Sequence, residues 1–199
     1  LSEIDILLRY EPYDCGLLFL DKKKVEKILP KTSSHICSNK INLIEDISLI
    51  RNLQITDHLW LASNWKEDQI KYNIESLVEL KKLTSAKILI FGKKQLSPLN
   101  ITHLDLDADK RANIKILDKL LASNIYFKKQ IDSLNLKYFD IQEIICQKTK
   151  NNHQFCKPYD SLGMPKSFDG GHLSIYGAKY LGSKIKNDLI CIIKEKCEF

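Results

Sequence analysis

Long hydrophobic runs are missing from these 199 residues, and glycine (7), proline (5) and methionine (1) are scarce. No apolar run approaches the roughly 18–20 residues that a membrane-spanning helix needs. The scarcity of glycine and proline excludes collagen-like and low-complexity chains. What is present, 44% hydrophobic and 28% charged residues, is typical of a globular protein, and the length suits one compact domain over residues 1–199.

Arginine is also rare, although the chain is basic. Lysine and arginine together number 31 against 25 acidic residues, giving a net charge of +6, yet arginine occurs only at positions 9, 51 and 111. Nucleic-acid-binding proteins usually cluster basic groups on one face and use arginine for bidentate contacts. We therefore expect no nucleic-acid partner, and the dispersed lysines leave open a weak attraction to anionic glycans or membrane surfaces.

Short apolar segments alternate with amphipathic ones along the chain. The pattern predicts strands at 17–20, 58–62, 87–92 and 138–141, and helices at 1–11, 41–53, 67–83, 109–134 and 174–196. Residues 21–40 are expected to form a loop with room for one helical turn, and residues 146–172 are expected to be irregular. Strands alternating with helices indicate βαβ units, hence an α/β fold with a mostly parallel sheet. Ligands of such sheets bind at the carboxyl ends of the strands.

The sharpest local motif is Asp169-Gly-Gly-His172, directly before the last predicted helix. Two glycines allow a tight turn in which the carboxylate accepts the imidazole Nδ1–H, so that Nε2 can act as a general base. The spacing alone is equally compatible with an acidic cap at a helix N-terminus. Asp169 and His172 are therefore candidate catalytic residues.

A second candidate site follows the strand predicted at 58–62. The amide of Asn64 could donate to a developing oxyanion, although asparagine is also common in turns. Trp65 could stack on a sugar ring as a substrate-binding residue, or serve only in packing. Ser63 is interpreted as a turn serine, because no Gly-x-Ser-x-Gly motif surrounds it.

The six cysteines, at 15, 37, 146, 156, 191 and 197, fit an oxidising compartment but allow 15 pairings. The local pairs 15–37 and 146–156 would close loops in irregular stretches. His153 lies near Cys146 and Cys156, but the Cys-x-x-Cys pairs of zinc sites are absent. We expect disulfides here and predict neither a metal nor a cofactor.

Together, the motifs Leu61-Ala62-Ser63-Asn64-Trp65 and Asp169-Gly-Gly-His172-Leu-Ser-x-x-Gly-Ala resemble those of SGNH/GDSL hydrolases. The closer resemblance is to the extracytoplasmic SGNH domain of acyltransferase-3 proteins, which O-acetylate bacterial surface polysaccharides such as lipopolysaccharide. The resemblance implies a three-layer α/β/α sandwich of the SGNH (flavodoxin-like) type. It assigns Asp169 and His172 to the catalytic triad and Asn64 to the oxyanion hole.

The same resemblance implies acetyl transfer to a cell-surface polysaccharide. Its expected partners are an acetyl donor, a polysaccharide acceptor and a membrane acyltransferase domain in the same polypeptide. The expected location is periplasmic or extracellular, tethered to the membrane. A free-standing carbohydrate esterase of the same fold is the alternative enzyme.

The chain departs from the family at the nucleophile, since it contains no Gly-Asp-Ser motif. Gly16 is a weak match to the family's second conserved block. Because the chain starts with Leu1 rather than methionine, one expectation is that the first strand and its serine precede Leu1, which would leave this fragment inactive alone. The other is a non-catalytic glycan-binding module that has lost the nucleophile.

Overall fold

The computed structural model describes Ile6 and residues 19–28, 43–63, 65–96, 118–148, 154–155 and 158–194. Predictions for residues 1–5, 7–18 and 97–117, which include the first helix, lie outside these ranges. The described residues belong to two compact units, Leu1–Ile88 and Leu89–Phe199. The single domain inferred from the sequence stays a prediction.

Among its described residues, the first unit contains three α-helices, the 3-10 helices Leu43–Glu45 and Glu67–Gln69, and the first strand. Acidic side chains cap the first two α-helices. Helix α1 (Lys22–Ile28) follows Asp21, whose carboxylate accepts from Lys24 N at 3.0 Å. Helix α2 (Ile47–Ile55) is capped in the same way by Asp46. Strand β1 (His58–Ala62) then leads to helix α3 (Ile70–Leu83), which buries Leu77 and Leu80 completely.

Within the described residues, the main sheet has three parallel strands in the order β1-β2-β3. Strand β2 (Lys87–Phe91) pairs with β3 (Lys137–Phe139) in the register Leu89 to Lys137 and Phe91 to Phe139. The last four residues of β2 are all buried, as expected for a parallel strand covered on both faces. The predicted α/β class with a parallel sheet is confirmed.

The described residues of the second unit add two helices, a short hairpin and the long last helix. These are α4 (Asp118–Ser133), α5 (Ile141–Ile145), the antiparallel pair β4 (Gln147–Lys148) and β5 (Gln154–Phe155), and α6 (Ile175–Ile193). Apolar side chains of α5 and α6 form one core with those of β2, β3 and the segment after β2: Leu89, Phe91, Leu96, Phe139, Ile141, Ile145, Leu181, Ile185 and Ile192. In the part of the chain that the structure describes, no helix is both long and apolar enough to cross a membrane.

Several sequence predictions need correction. Residues 138–141 are not one strand, because the Asp140 carboxylate accepts from Glu143 N at 3.0 Å and starts α5 at Ile141. Phe19 and Leu20 are buried but not in a strand. Helix α1, with 7 residues, is longer than the single helical turn expected in this region. The hairpin of β4 and β5 lies within a stretch expected to be irregular.

The apolar stripe of the last helix, Ile175, Ala178, Leu181, Ile185, Leu189 and Ile192, predicts one buried face, and this prediction is partly wrong. Leu181, Ile185 and Ile192 are buried, but Ile175 is 66% exposed and Ala178 is exposed. Gly177 is buried in their place, because the backbone of Lys166 lies against this turn of the helix.

Candidate active site

The turn that precedes α6 brings Asp169 and His172 together. One carboxylate oxygen of Asp169, Oδ1, accepts from the backbone N–H of Gly171 at 2.9 Å and of His172 at 2.8 Å. The other, Oδ2, lies 2.5 Å from the ring nitrogen Nδ1 of His172. The aspartate therefore binds the backbone of the turn as well as the imidazole, whereas the cap of the following helix is the hydroxyl of Ser174 and not an acidic side chain.

Two further features set the shape of this turn. Gly170 has a φ of +83°, a left-handed conformation that glycine adopts without the steric cost of a Cβ. Ser167 is 1% exposed; its hydroxyl oxygen accepts from Gly170 N at 2.9 Å and lies 3.3 Å from Asp169 Oδ1. A buried serine thus fixes the turn from inside.

Helix α6 anchors the turn at its other end. The hydroxyl of Ser174 caps the helix by accepting from Gly177 N at 3.0 Å, and it donates to the carbonyl of Pro165. Ser174 N donates to Lys166 O at 2.9 Å. A Cβ on Gly177 would lie 2.0 Å from Lys166 O, so the helix and the 165–167 backbone approach closely only because this residue is glycine.

The segment after β2 holds the turn from a third side. Leu96 N donates to Gly170 O at 2.8 Å, and the Lys94 ammonium donates to Gly171 O. These two contacts join consecutive carbonyls of the turn to residues more than 70 positions earlier in the chain.

The side chain of His172 is 91% exposed and that of Asp169 is 55% exposed. Hydrogen bonds from the His172 side chain and from the backbone N–H groups of His172 and Gly171 hold the pKa of Asp169 well below its usual range. Burial lowers the pKa of Lys94, and the neighbouring Asp169 charge opposes that shift. The carboxylate is therefore ionised and the imidazole is accessible.

This arrangement is suited to general acid–base chemistry. An ionised carboxylate at Nδ1 favours the tautomer with the proton on Nδ1, so that Nε2 carries the lone pair. It also stabilises the imidazolium that forms when Nε2 takes a proton from a nucleophile. The geometry supplies a base and its orienting group.

The remaining predicted site residues are Asn64 and Trp65. Asn64, the predicted oxyanion donor, lies outside the described residues, as does Gly16. Trp65 belongs to the first unit and is 2% exposed. Its burial favours the packing role over stacking on a sugar, because little of the ring is open to a ligand.

The structure describes two of the cysteines, Cys146 and Cys191, and both are disulfide-bonded. Cysteines 15, 37, 156 and 197 lie outside the described ranges, so the pairings 15–37 and 146–156 stay predictions. His153 also falls outside them. Within the described ranges, no group of three or more His, Cys, Asp or Glu side chains could hold a metal ion.

Sequence reasoning missed the residues that support the turn from elsewhere in the chain. Lys94, Gln95 and Gln142 show no motif, and their partners are 47 or 77 positions away. Ser167 lies two residues before Asp169. Because serine hydroxyls often bind nearby backbone N–H groups, its position next to the motif could have predicted that it caps the turn.

Comparison with known proteins found no match to the chain among family models, curated proteins or solved structures.

Proposed function

We propose that this protein is an O-acyltransferase of the SGNH type that transfers acetyl groups to a bacterial cell-surface polysaccharide. The observation that carries the proposal is the 2.5 Å contact between Asp169 Oδ2 and His172 Nδ1 in a rigid turn that leaves the imidazole exposed. The three-layer sandwich, the periplasmic or extracellular location and the membrane acyltransferase partner belong to the same proposal.

In this proposal, a serine outside the printed sequence supplies the nucleophile, since the chain has no Gly-Asp-Ser motif. Its hydroxyl attacks the acetyl carbonyl of the donor while His172 Nε2 takes the hydroxyl proton, and Asp169 stabilises the imidazolium. The tetrahedral intermediate collapses to an acetyl-serine, and the imidazolium protonates the departing donor group. Asn64 is proposed to donate to the oxyanion.

In the second half of the reaction, the sugar hydroxyl is the attacking group and the serine oxygen is the leaving group. His172 Nε2 removes the proton of a sugar hydroxyl, whose oxygen attacks the acetyl-serine. The C–O bond to the serine then breaks, and the serine oxygen recovers the proton from the imidazolium. The product is an acetylated sugar and a free enzyme; with water as acceptor, the same steps release acetate, which is the esterase alternative.

The test uses the complete gene product and its His172→Ala variant. We expect this variant to lose turnover of p-nitrophenyl acetate by about a thousandfold or more, because the base that activates the nucleophile is removed. His103→Ala, a histidine without motif neighbours, is the matched control and is expected to keep its rate. Transfer to a polysaccharide acceptor is measured in parallel with acetate release to separate transferase from esterase.

Unchanged turnover in the His172→Ala variant would overturn the catalytic role. A fluorophosphonate probe, which labels activated serines, identifies the nucleophile by mass spectrometry. Absence of labelling and of turnover in the complete wild-type protein would favour a glycan-binding module instead.

A further inference from the structure

Gln142 is a buried amide whose two ends bind one residue of a distant segment. It is 1% exposed. Its Oε1 accepts from Gln95 N at 2.7 Å, and its Nε2 donates to Gln95 O at 3.0 Å. The same Nε2 lies 3.0 Å from the sulfur of Cys146, one turn further along the chain. A side-chain amide thus pairs with a backbone peptide unit as a neighbouring strand would.

The segment that it binds, residues 93–96, follows β2 and is assigned to neither helix nor strand. Buried backbone groups in such a segment need partners from elsewhere, because leaving one unpaired costs about 1–3 kcal/mol. Besides Gln142, the amide of Asn124 on α4 donates to Lys93 O at 2.8 Å. Side chains of two helices therefore fix this segment.

The fixed segment in turn holds the turn that carries the Asp169–His172 pair. Leu96 N, the amide next to Gln95, donates to Gly170 O at 2.8 Å. The Lys94 side chain, on the other side of Gln95, donates to Gly171 O. Gln142 thus binds Gln95, both of whose neighbours contact the turn.

From these contacts we propose that Gln142 is a positioning residue for the Asp169–His172 pair. It fixes the backbone of Gln95 and thereby the position and orientation of the turn that carries the pair. Its effect on a rate rests on the proposed acyl transfer, whereas its effect on the geometry of His172 does not. Gln142 lies 30 positions before His172 and shares no motif with it.

Removing the amide is expected to disturb the pair rather than the binding of substrate. Misplacement of a catalytic group by about 1 Å can lower a rate by about a hundredfold. We therefore expect Gln142→Met, which keeps the length of the side chain but makes none of these hydrogen bonds, to lower kcat by about tenfold to a hundredfold with KM unchanged.

The test that is independent of activity is ¹⁵N NMR of the His172 ring in the complete protein. In the wild type, the ring shifts are expected to show the proton on Nδ1, where Asp169 Oδ2 accepts it. In Gln142→Met, they are expected to move toward the shifts of a free histidine. Gln69→Met makes the same substitution at another buried glutamine (6% exposed), located in the first unit, and is expected to leave the ring shifts unchanged.

Wild-type ring shifts in folded Gln142→Met, or an equal displacement in Gln69→Met, would overturn the proposal. If Gln142→Met does not fold, Gln142→Glu keeps the shape and the acceptor while removing the amide donors, and it is judged by the same two criteria. Absence of ester turnover in the wild type would refute the proposed function alone. Turnover that depends on His172 with ring shifts indifferent to Gln142 would refute the positioning role alone.

Discussion

At the scale of single residues, the candidate site depends on two adjacent glycines that do different things. Gly170 has a φ of +83° and supplies the carbonyl that Leu96 binds. Gly171 has no positive φ, and a Cβ there would meet only Asp169 Oδ1 at 3.8 Å, an ordinary contact. One glycine is required by backbone conformation and the other is not.

This difference gives a matched pair of substitutions. Gly170→Ala is expected to lower the free energy of unfolding by about 1–2 kcal/mol, because a Cβ is strained in the left-handed region. Gly171→Ala is expected to change it by less than about 0.5 kcal/mol. Urea unfolding of both variants measures the difference, and equal losses would show that the conformation of Gly170 is not what the turn requires.

At the scale of elements, α6 is held against the site by the absence of a side chain at one position. Its turn at Gly177 packs on the Lys166 carbonyl, and Ser174 caps its first turn. Gly182, in the same helix, has no atom within 4 Å of the place where a Cβ would stand. The two glycines therefore have opposite consequences for packing.

Replacing each by alanine separates close packing from helix propensity. Gly177→Ala is expected to destabilise the protein by about 1–3 kcal/mol, because backbone must move to admit the methyl group. Gly182→Ala is expected to stabilise it by about 0.5–1 kcal/mol, since alanine is the better helix former. Thermal and urea unfolding measure both, and a stable Gly177→Ala would mean that α6 can shift from Lys166 at little cost.

The strands and helices also show how much of the fold could be predicted from the sequence. Strand β1 at His58–Ala62 and strand β2 were predicted within one residue, because each is a short apolar run between polar turns. The boundary at Asp140 was missed, since a capping aspartate inside an apolar run ends a strand only when the chain turns there. The Asp169–His172 contact was predictable because it is local, three residues apart.

What the sequence could not predict is long-range support. Gln142 and Gln95 are 47 positions apart, and neither belongs to a recognisable motif. Their contact follows from the register of β2 with β3, which puts the segment after one strand beside the helix after the next. Such pairings become visible only in the folded chain, because they depend on tertiary packing rather than on local propensity.

At the scale of the whole molecule, the ionisation of Asp169 makes the free energy of unfolding depend on pH. Hydrogen bonds hold the pKa of the Asp169 carboxyl below its ordinary value, chiefly the one from the His172 side chain and then those from two backbone N–H groups. A group with a lowered folded-state pKa binds protons more weakly in the folded than in the unfolded chain. Its contribution to stability is therefore complete above the ordinary aspartate pKa of 3.8 and is lost as the pH falls through the lower folded-state pKa.

Asp169→Asn is thus expected to be less stable than the wild type at pH 7, by a difference that stays constant down to about pH 4 and narrows below it. Asp188→Asn removes the same charge from an exposed position of α6 and corrects for the change in net charge. Urea unfolding of the three proteins from pH 7 to pH 2.5 measures the differences. A gap between Asp169→Asn and the wild type that persists undiminished at the lowest pH would contradict the linkage, because the unfolded wild-type chain takes up a proton below the ordinary aspartate pKa while the folded carboxylate does not. A gap that narrows steadily below about pH 4 would show that folding of the chain depends on the ionised carboxylate that also contacts His172.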